Sequence, residues 1–267
     1  MSPVTIDVLT YNIHKGFSFG NREFVLHEIR ELLHASNMDV VFLQEIHGRH
    51  LQHQERISNW PLISQFEYLA ENIWPHYKYG KNAIYNDGDH GNAILSKFPI
   101  IHWENLNISL LRRASRSILY GVLHIPDLQV NLHVICIHLD FIAVERQRQF
   151  RVLKSWFNKN IPADEPVILA GDFNDWRGQV SRSITSQLLM KEVFQELQGV
   201  HARTYPSLYP MLPLDRIFYR GMLPVNCLCY RDHPWHKLSD HLPLYAKFQF
   251  KKLQDKSLKG FRSDNSC

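Results

Sequence analysis

Short apolar runs of strand length recur along almost the whole chain, while helical patterns separate only some of them. The runs predicted to be strands are VTIDVLTYN, DVVFLQE, YKYGKNAIY, GNAILSKFPII, SRSILYGVLHIP, LQVNLHVICIHLD, PVILAGDFND, LDRIFYR, PVNCLCYR and HLPLYAKFQF. Because strands and helices do not alternate strictly, the pattern disfavours a doubly wound parallel sheet. It predicts an α+β fold in which mixed β-sheets pack together and are covered by helices.

Four segments have apolar residues near the 3.6-residue spacing of amphipathic helices. They are REFVLHEIRELLHAS, SQFEYLAENIW, AVERQRQFRVLKSWFNKN and SITSQLLMKEVFQEL. In the segment AVERQRQFRVLKSWFNKN, the pattern predicts that Val144, Phe150, Leu153 and Phe157 face the core. The same pattern predicts that Arg146, Arg148 and Arg151 are exposed to solvent.

Length and composition favour a single domain. The chain has 267 residues, 45% of them hydrophobic, which is enough for a large core. No repeat or Pro/Gly/Ser-rich linker divides it. Residues 1–250 are therefore predicted to form one domain, followed by a basic tail at 251–267 that is expected to be disordered.

Most of the net charge lies in the tail. Residues 1–250 contain 25 Lys and Arg against 24 Asp and Glu, a net charge of +1, whereas the tail has five basic and two acidic residues. A dedicated duplex-DNA binder is usually clearly basic, so the body of the chain disfavours that class. A weak contact between the tail and an anionic lipid or nucleic-acid surface is the minor alternative to disorder.

The cysteines and the N-terminal residues favour a reducing compartment. Four cysteines without Cys-x-x-Cys spacing are too few for a disulfide framework, and Cys136 lies in an apolar run as a core residue would. The first residues lack a basic region followed by a long apolar stretch, and no run approaches about 18 apolar residues. We therefore expect no transmembrane segment and a cytoplasmic location.

Polar side chains of similar chemistry stand where the predicted strands begin or end. They are Asn12, Glu45, His138, Asp172, Asn174, Asp215, Asp240 and His241. A turn or a satisfied hydrogen bond would explain any one of them, but not eight in six segments. Carboxylate and amide oxygens suit a hard divalent cation, and buried carboxylates need partners. If these strand ends share one rim of the fold, they form a pocket, with Asp175 serving the adjoining turn.

The same segments resemble, in order, the motifs of the endonuclease/exonuclease/phosphatase superfamily, a DNase-I-like group, and in particular its small bacterial-type members. The matching segments are LTYNIHKG, FLQE, GNAILSKFPI, CIHLDF, ILAGDFND, LPLDRIFYR and LSDHLPL, which extend from residue 9 to residue 244. The resemblance implies a four-layer sandwich of two packed mixed β-sheets flanked by helices.

The resemblance also implies a role for each polar residue. The implied metal group is Glu45, Asn12 and Asp240, and the implied catalytic group is His138, Asp172, Asn174, Asp215 and His241. Mg²⁺ is the implied cofactor, with Mn²⁺ as a substitute. Within the catalytic group, Asp215 steadies His241.

Two further residues are predicted to contact substrate. Asn92 matches a family position near the substrate. Arg113 is chosen from the basic segment LLRRASRS because a guanidinium fork suits phosphate geometry. His14 and Lys15, just after Asn12, either border the pocket or belong to an ordinary loop.

Together these features predict a Mg²⁺-dependent phosphoester hydrolase, a phosphodiesterase or phosphatase in which metal-activated water attacks phosphorus. Its substrate is a phospholipid-type ester, a phosphorylated small molecule or a nucleic acid. The alternative is a metal-dependent nuclease acting on DNA or RNA. A catalytically inactive module that binds a phosphorylated ligand is the third hypothesis, which the complete set of polar residues disfavours.

Overall fold

Two six-stranded sheets form the centre of the computed structural model, which describes residues 3–85, 88–109 and 116–251. The strands are β1 (Thr5–Asn12), β2 (Val40–His50), β3 (His76–Tyr85), β4 (Gly88–Ser96), β5 (Ile100–Asn107), β6 (Ser117–Ile125), β7 (Val130–His138), β8 (Val167–Asp172), β9 (Lys191–Glu192), β10 (Asp215–Arg220), β11 (Met222–Cys229) and β12 (Leu244–Phe250). The first sheet has the order β11-β12-β1-β2-β4-β3 and the second β5-β6-β7-β8-β10-β9. Each sheet is mixed, since β1–β2 and β7–β8 are parallel pairs among antiparallel ones.

Over the ranges given above, six α-helices surround the sheets, four of them on the outer faces, while Val193 and Phe194 of the last helix join the core between the sheets. The helices are α1 (Leu26–Ser36), α2 (Leu51–Arg56), α3 (Gln65–Ala70), α4 (Ala143–Asn160), α5 (Gln179–Gln187) and α6 (Val193–Gln198). Apolar residues of α1 and α3 join the outer core of the first sheet, and those of α4 and α5 join the outer core of the second. The predicted α+β four-layer sandwich is confirmed.

Strand alternation explains why the central strands are apolar almost throughout. On β1, Ile6 and Val8 belong to the core between the sheets, whereas Leu9 and Tyr11 belong to the core beneath the helices. A strand buried on both faces has no position for a solvated side chain, so its sequence is a nearly continuous apolar run. Cys136 lies in the core between the sheets, as predicted.

The segment predicted as one helix over SITSQLLMKEVFQEL contains three elements instead. Helix α5 ends at Gln187, Leu189 has a φ of 54°, and β9 pairs with β10 before α6 begins. The Glu192 carboxylate accepts hydrogen bonds from the amides of Phe194 and Gln195 and so caps α6. The pairing of β9 at a sheet edge outweighs the helical pattern of the sequence.

Other predicted elements differ at their ends. The helix predicted over SQFEYLAENIW stops at Ala70. The strand predicted over GNAILSKFPII ends as β4 at Ser96, and β5 starts at Ile100 and continues to Asn107, beyond the predicted run. On α4, Val144 is exposed rather than inward-facing, while Arg146 is buried rather than solvated. Arg146 donates hydrogen bonds from Nη1 to the carbonyls of Asp140 and Phe141 and lies over the Trp176 ring, so a polar loop offers it partners inside the fold.

No helix in the described part of the chain is both long and apolar enough to cross a membrane. The single-domain boundary at residue 250 and the disordered tail stay predictions, since residues 252–267 lie outside the described residues. The cytoplasmic location likewise stays an expectation.

Candidate active site

Four polar residues continue the inner faces of their strands beyond the apolar core. They are Asn12 on β1, His138 on β7, Asp172 on β8 and Asp215 on β10. In the second sheet, Asp172 is paired with His138 on one side and with Asp215 on the other. Across the two sheets, Asn12 Nδ2 donates to Asp172 Oδ2 at 3.2 Å. The pocket therefore lies where the core between the sheets reaches the edge of the sandwich.

Asp172, Asp215 and His241 form a buried group at the base of this pocket. His241 Nδ1 lies 2.8 Å from Asp215 Oδ2, and its Nε2 lies 3.8 Å from Asp172 Oδ2. Burial opposes the charged imidazole, but the carboxylates of Asp215 and Asp172 outweigh it and raise the pKa of His241 to about 10. Burial, reinforced by Asp215, raises the pKa of Asp172 to about 6 in spite of His241.

His138 is the third residue, after Asp172 and Asp215, that the second sheet contributes to the site. Its Nε2 lies 3.5 Å from Asp172 Oδ2. Burial, aided by the positive charges of Arg116 and His241, lowers the pKa of His138 well below its ordinary value. A neutral His138 can donate one N–H and accept at the other nitrogen, which suits contact with a phosphoryl oxygen.

Glu45 reaches the pocket through a β-bulge in β2. Leu43 pairs with Ala93 and Ile46 with Gly91, so Gln44 and Glu45 together oppose Asn92. Glu45 has a φ of 54°, in the left-handed region that is uncommon for side chains other than glycine. Such strain clusters at functional sites, and here it interrupts the alternation that would have turned Glu45 to the outer face.

Two residues that the sequence left open border the pocket. Lys15 Nζ lies 3.6 Å from Glu45 Oε2, and His14 Nδ1 lies 2.7 Å from Asp240 Oδ1. Burial favours a neutral Glu45, but Lys15 and His14 outweigh it and lower the pKa of Glu45. The hydrogen bond that His14 donates to the Asp240 carboxylate raises the pKa of His14. The position of both residues next to Asn12 was the only sequence signal for them.

Asn174 orients Asp172. The Asn174 amide donates to Asp172 Oδ1 at 2.9 Å, and its side-chain Nδ2 donates to the Leu139 carbonyl at 3.0 Å. Asn174 has a φ of 50°, a conformation that asparagine tolerates better than most residues. Asp175 accepts hydrogen bonds from the amides at the start of α5, as expected of a turn residue.

The two predicted substrate contacts have different outcomes. Asn92 is buried on β4, its Nδ2 donates to the Ser117 carbonyl, and its Oδ1 has no hydrogen-bond partner within the described ranges. Arg113 lies outside the described residues. Arg116, from the same basic segment, lies near enough for its positive charge to lower the pKa of both Glu45 and His138. The sequence alone favours Arg113 over it.

The site fits the divalent metal ion that the resemblance implies. Asp172 and Asp215 each offer a carboxylate oxygen, and these two oxygens lie within 4.8 Å of each other and of a His241 nitrogen. Asp215 Oδ1 is buried without a hydrogen-bond partner among the residues described, an arrangement that positive charge would relieve. This compact group consists of residues predicted to be catalytic. The ligand roles of Glu45, Asn12 and Asp240 stay predictions, and Asp240 is already engaged by His14.

Comparison with known proteins supports the resemblance found in the motifs. The model of the Endonuclease/Exonuclease/phosphatase family matches residues 9–241. The chain is 41% identical over 240 residues to the Escherichia coli (strain K12) protein named Uncharacterized protein YbhP, covering 90% of this chain and 94% of that one.

Solved structures share the fold at low identity. An endonuclease/exonuclease/phosphatase from Beutenbergia cavernae DSM 12333 superposes with a TM-score of 0.71 at 18% identity, covering 92% of this chain and 72% of that one. D. rerio TDP2 complexed with single strand DNA product gives a TM-score of 0.67 at 20% identity, covering 91% and 98%. Motifs, sheet order and family match agree, and the chain belongs to the endonuclease/exonuclease/phosphatase family.

Proposed function

We propose that this protein is a Mg²⁺-dependent hydrolase of phosphoesters, a phosphodiesterase or phosphatase in which metal-activated water attacks phosphorus. One observation carries the proposal: residues from six distant segments converge at one edge of the sandwich around the Asp172 carboxylate. These residues are Asn12, Glu45, His138, Asp172, Asp215 and His241. The separate turns that could explain each residue singly would not bring these side chains together.

The geometry assigns a task to each side chain. Asp215 holds Nδ1 of His241, so Nε2 faces Asp172 and the pocket. Asp172 Oδ2 accepts the proton of the attacking water, because it is the carboxylate oxygen that faces His138, His241 and Asn12. Hydrogen bonds from Asn12 and Asn174 hold that carboxylate in place, and His241 lies 3.8 Å from it.

Side chains from both sheets would neutralise the negative charge of the phosphoryl group. His138 and His241 donate hydrogen bonds to its oxygens, which stabilises the charge that develops in the transition state. Glu45, with Asn12 beside it, would hold the metal, and Asp240 lies at the same rim. When bound, a divalent ion neutralises phosphoryl charge and lowers the pKa of its bound water.

Hydrolysis of bis(p-nitrophenyl) phosphate tests the proposal, with p-nitrophenyl phosphate as the monoester comparison. We expect Mg²⁺-dependent release of nitrophenol that EDTA abolishes and that Mg²⁺ or Mn²⁺ restores. Asp172→Asn and His241→Gln should each lose about 100-fold or more in kcat while their circular dichroism stays that of wild type. Asp127→Asn, at an exposed position on the β6–β7 turn, is the matched control. Near wild-type activity in Asp172→Asn would overturn the assignment.

Nucleic acid is the second candidate substrate, because one protein of the same fold is described as complexed with single strand DNA product. A net charge of +1 over residues 1–250 disfavours this candidate. Single-stranded and plasmid DNA, incubated with enzyme and Mg²⁺ beside the diester assay, separate the two. Cleavage of DNA at a higher kcat/KM than any small diester or phospholipid would make the protein a nuclease.

A further inference from the structure

Three histidines outside the Asp172 pocket meet at the junction of β2 and α2. One ring nitrogen from each of His47, His50 and His53 lies within 4.8 Å of the others. The ring centroids of His50 and His53 are 3.7 Å apart, and that of His47 lies 4.9 Å from His50 and 5.9 Å from His53. The proposed hydrolysis uses none of these rings.

A second β-bulge puts the first two histidines on one side of β2. Residues three apart on a regular strand face opposite sides. Here His47 pairs with His90 and His50 with Gly88, so three steps along β2 match two along β4. The extra residue restores a common face, and His53 follows one helical turn later on α2. The backbone therefore gathers the three rings.

His47 carries the observation that points to a ligand. Its Nδ1 lies 3.2 Å from the Asp89 carbonyl, to which only an N–H can donate. The proton therefore sits on Nδ1, and Nε2 presents a lone pair. His47 is 4% exposed, and its Nε2 has no hydrogen-bond partner among the residues that the structure describes. Metal-ligating histidines commonly have this arrangement, in which the second nitrogen is tied to a backbone carbonyl.

The surroundings of the cluster are aromatic. The Trp60 ring lies 5.8 Å from His47, 6.2 Å from His50 and 5.1 Å from His53, measured between centroids. Aromatic packing alone would account for the ring contacts, but not for a buried acceptor nitrogen left without a donor. A metal ion coordinated by the three nitrogens accounts for both.

We propose that His47, His50 and His53 form a second metal site, for a divalent transition-metal ion of the zinc class. Three imidazoles are a known ligand set for Zn²⁺ that leaves a fourth position for water. Imidazole nitrogen suits Zn²⁺, Co²⁺ and Ni²⁺ and does not suit Mg²⁺, which selects oxygen. The site is thus chemically distinct from the carboxylate pocket.

Metal binding at this site changes the start of α2. His50 caps that helix, since its Nδ1 accepts a hydrogen bond from the His53 amide at 3.2 Å. Coordination through Nδ1 uses the same lone pair, and coordination through Nε2 requires the proton on Nδ1. Either way the ion replaces the cap and pins α2 to β2, five residues beyond Glu45. The ion would thereby brace the strand that presents Glu45 to the pocket.

Zinc titration against a chromophoric chelator in excess Mg²⁺ tests the site. We expect wild type to bind one Zn²⁺ with a Kd of about 1 µM or tighter. His50→Gln and His53→Gln, at partly exposed positions, should weaken binding by about 100-fold or more. His102→Gln, an exposed histidine on β5, is the matched control. The visible absorption of bound Co²⁺ reports whether the coordination is tetrahedral.

An Asp172→Asn variant keeps this test separate from the proposed hydrolase site. We expect it to lose hydrolysis and to keep the tight Zn²⁺ equivalent. Zinc binding that disappears in Asp172→Asn and persists in His53→Gln would place the ion in the carboxylate pocket and overturn the proposal. So would a wild-type protein that binds no zinc under these conditions.

Discussion

At the scale of single residues, Asp215 and His241 show how a buried pair is set up. Asp215 gives one carboxylate oxygen to His241 Nδ1 and keeps the other without a partner in the described structure. An imidazole fixed in this way presents one nitrogen in one orientation to the pocket. The pair is therefore the most direct place to test chemistry by substitution.

Asp215→Asn should lower kcat for a phosphodiester by about 100-fold or more, because the amide cannot stabilise a charged His241 as a carboxylate does. KM should change by less than about tenfold, since Asp215 acts through His241. Steady-state kinetics checks both values, with Asp127→Asn as control. An unchanged kcat would show that the pair is structural.

The pairing of His241 with Asp215 also makes the stability of the fold depend on pH. The folded pKa of His241, about 10, lies above its ordinary value of 6.5, so this group stabilises the fold fully below about pH 6.5. That contribution is lost as the pH rises through about 10. In EDTA, the Tm of wild type should fall between pH 7 and 10.5 more steeply than that of His241→Gln. Parallel curves would mean that His241 gains no proton affinity on folding.

At the scale of elements, the close approach of β7 and β8 depends on glycine. Gly171 has a φ of 144°, and a Cβ built there would lie 1.9 Å from the Ile137 carbonyl oxygen. The two strands run parallel at this point and deliver His138 and Asp172 side by side. A side chain at Gly171 would push apart the strands that carry both residues.

Gly171→Ala should reduce the free energy of unfolding by about 2–4 kcal/mol, through the clash and the backbone strain. Gly121→Ala on β6 is the control, because its Cβ would come no closer than 3.3 Å to any neighbouring atom, the nearest being Cγ2 of Val134. Urea denaturation measures both variants. Equal losses in the two would show that the β7–β8 approach can relax.

At the scale of elements, β-bulges also determine which side of a strand a residue faces. Strand β2 has two of them, one beside Glu45 and one between His47 and His50. Each brings to one side a residue that regular alternation would turn to the other. The same strand thereby serves both the carboxylate pocket and the histidine cluster.

At the scale of the whole molecule, the pocket joins the two sheets. Asn12 comes from the first sheet and Asp172 from the second, and their hydrogen bond spans the end of the core between them. On the proposed assignment, an ion bound here would be held by Glu45 and Asn12 of the first sheet beside the carboxylates of the second. Its binding energy therefore adds to the stability of the sandwich as a unit.

Saturation with Mg²⁺ should raise the Tm. At 100 times Kd the added stability is about 2.7 kcal/mol, equivalent to about 5–10 °C for a domain of this size. Differential scanning fluorimetry with and without Mg²⁺ measures the shift, and Glu45→Gln should lose most of it. An equal shift in the variant would place the Mg²⁺ elsewhere on the molecule.

Periodicity and motif order were sufficient to predict much of this molecule. Alternation and apolar runs predicted ten of the twelve described strands and the layered α+β class, because burial on both faces leaves a strong local signal. Predicted element boundaries were wrong where pairing with a distant segment determines them. Lys191–Glu192 lies within a predicted helix, for example, but pairs with β10 as strand β9. The prediction that Arg146 is exposed was wrong for the same reason. The carbonyl that accepts its hydrogen bond lies in a loop whose position the helical pattern of α4 does not indicate.

The sequence by itself determined which residues are proposed to carry the chemistry and that they stand at strand ends. Only the tertiary structure decided that Asp172 faces Asn12 across the sheets, that Lys15 approaches Glu45, and that three histidines meet beside Trp60. The physical reason is the distance along the chain over which each kind of interaction acts. Propensity and alternation act over a few residues, whereas sheet packing, bulges and burial set distances between residues far apart in the chain.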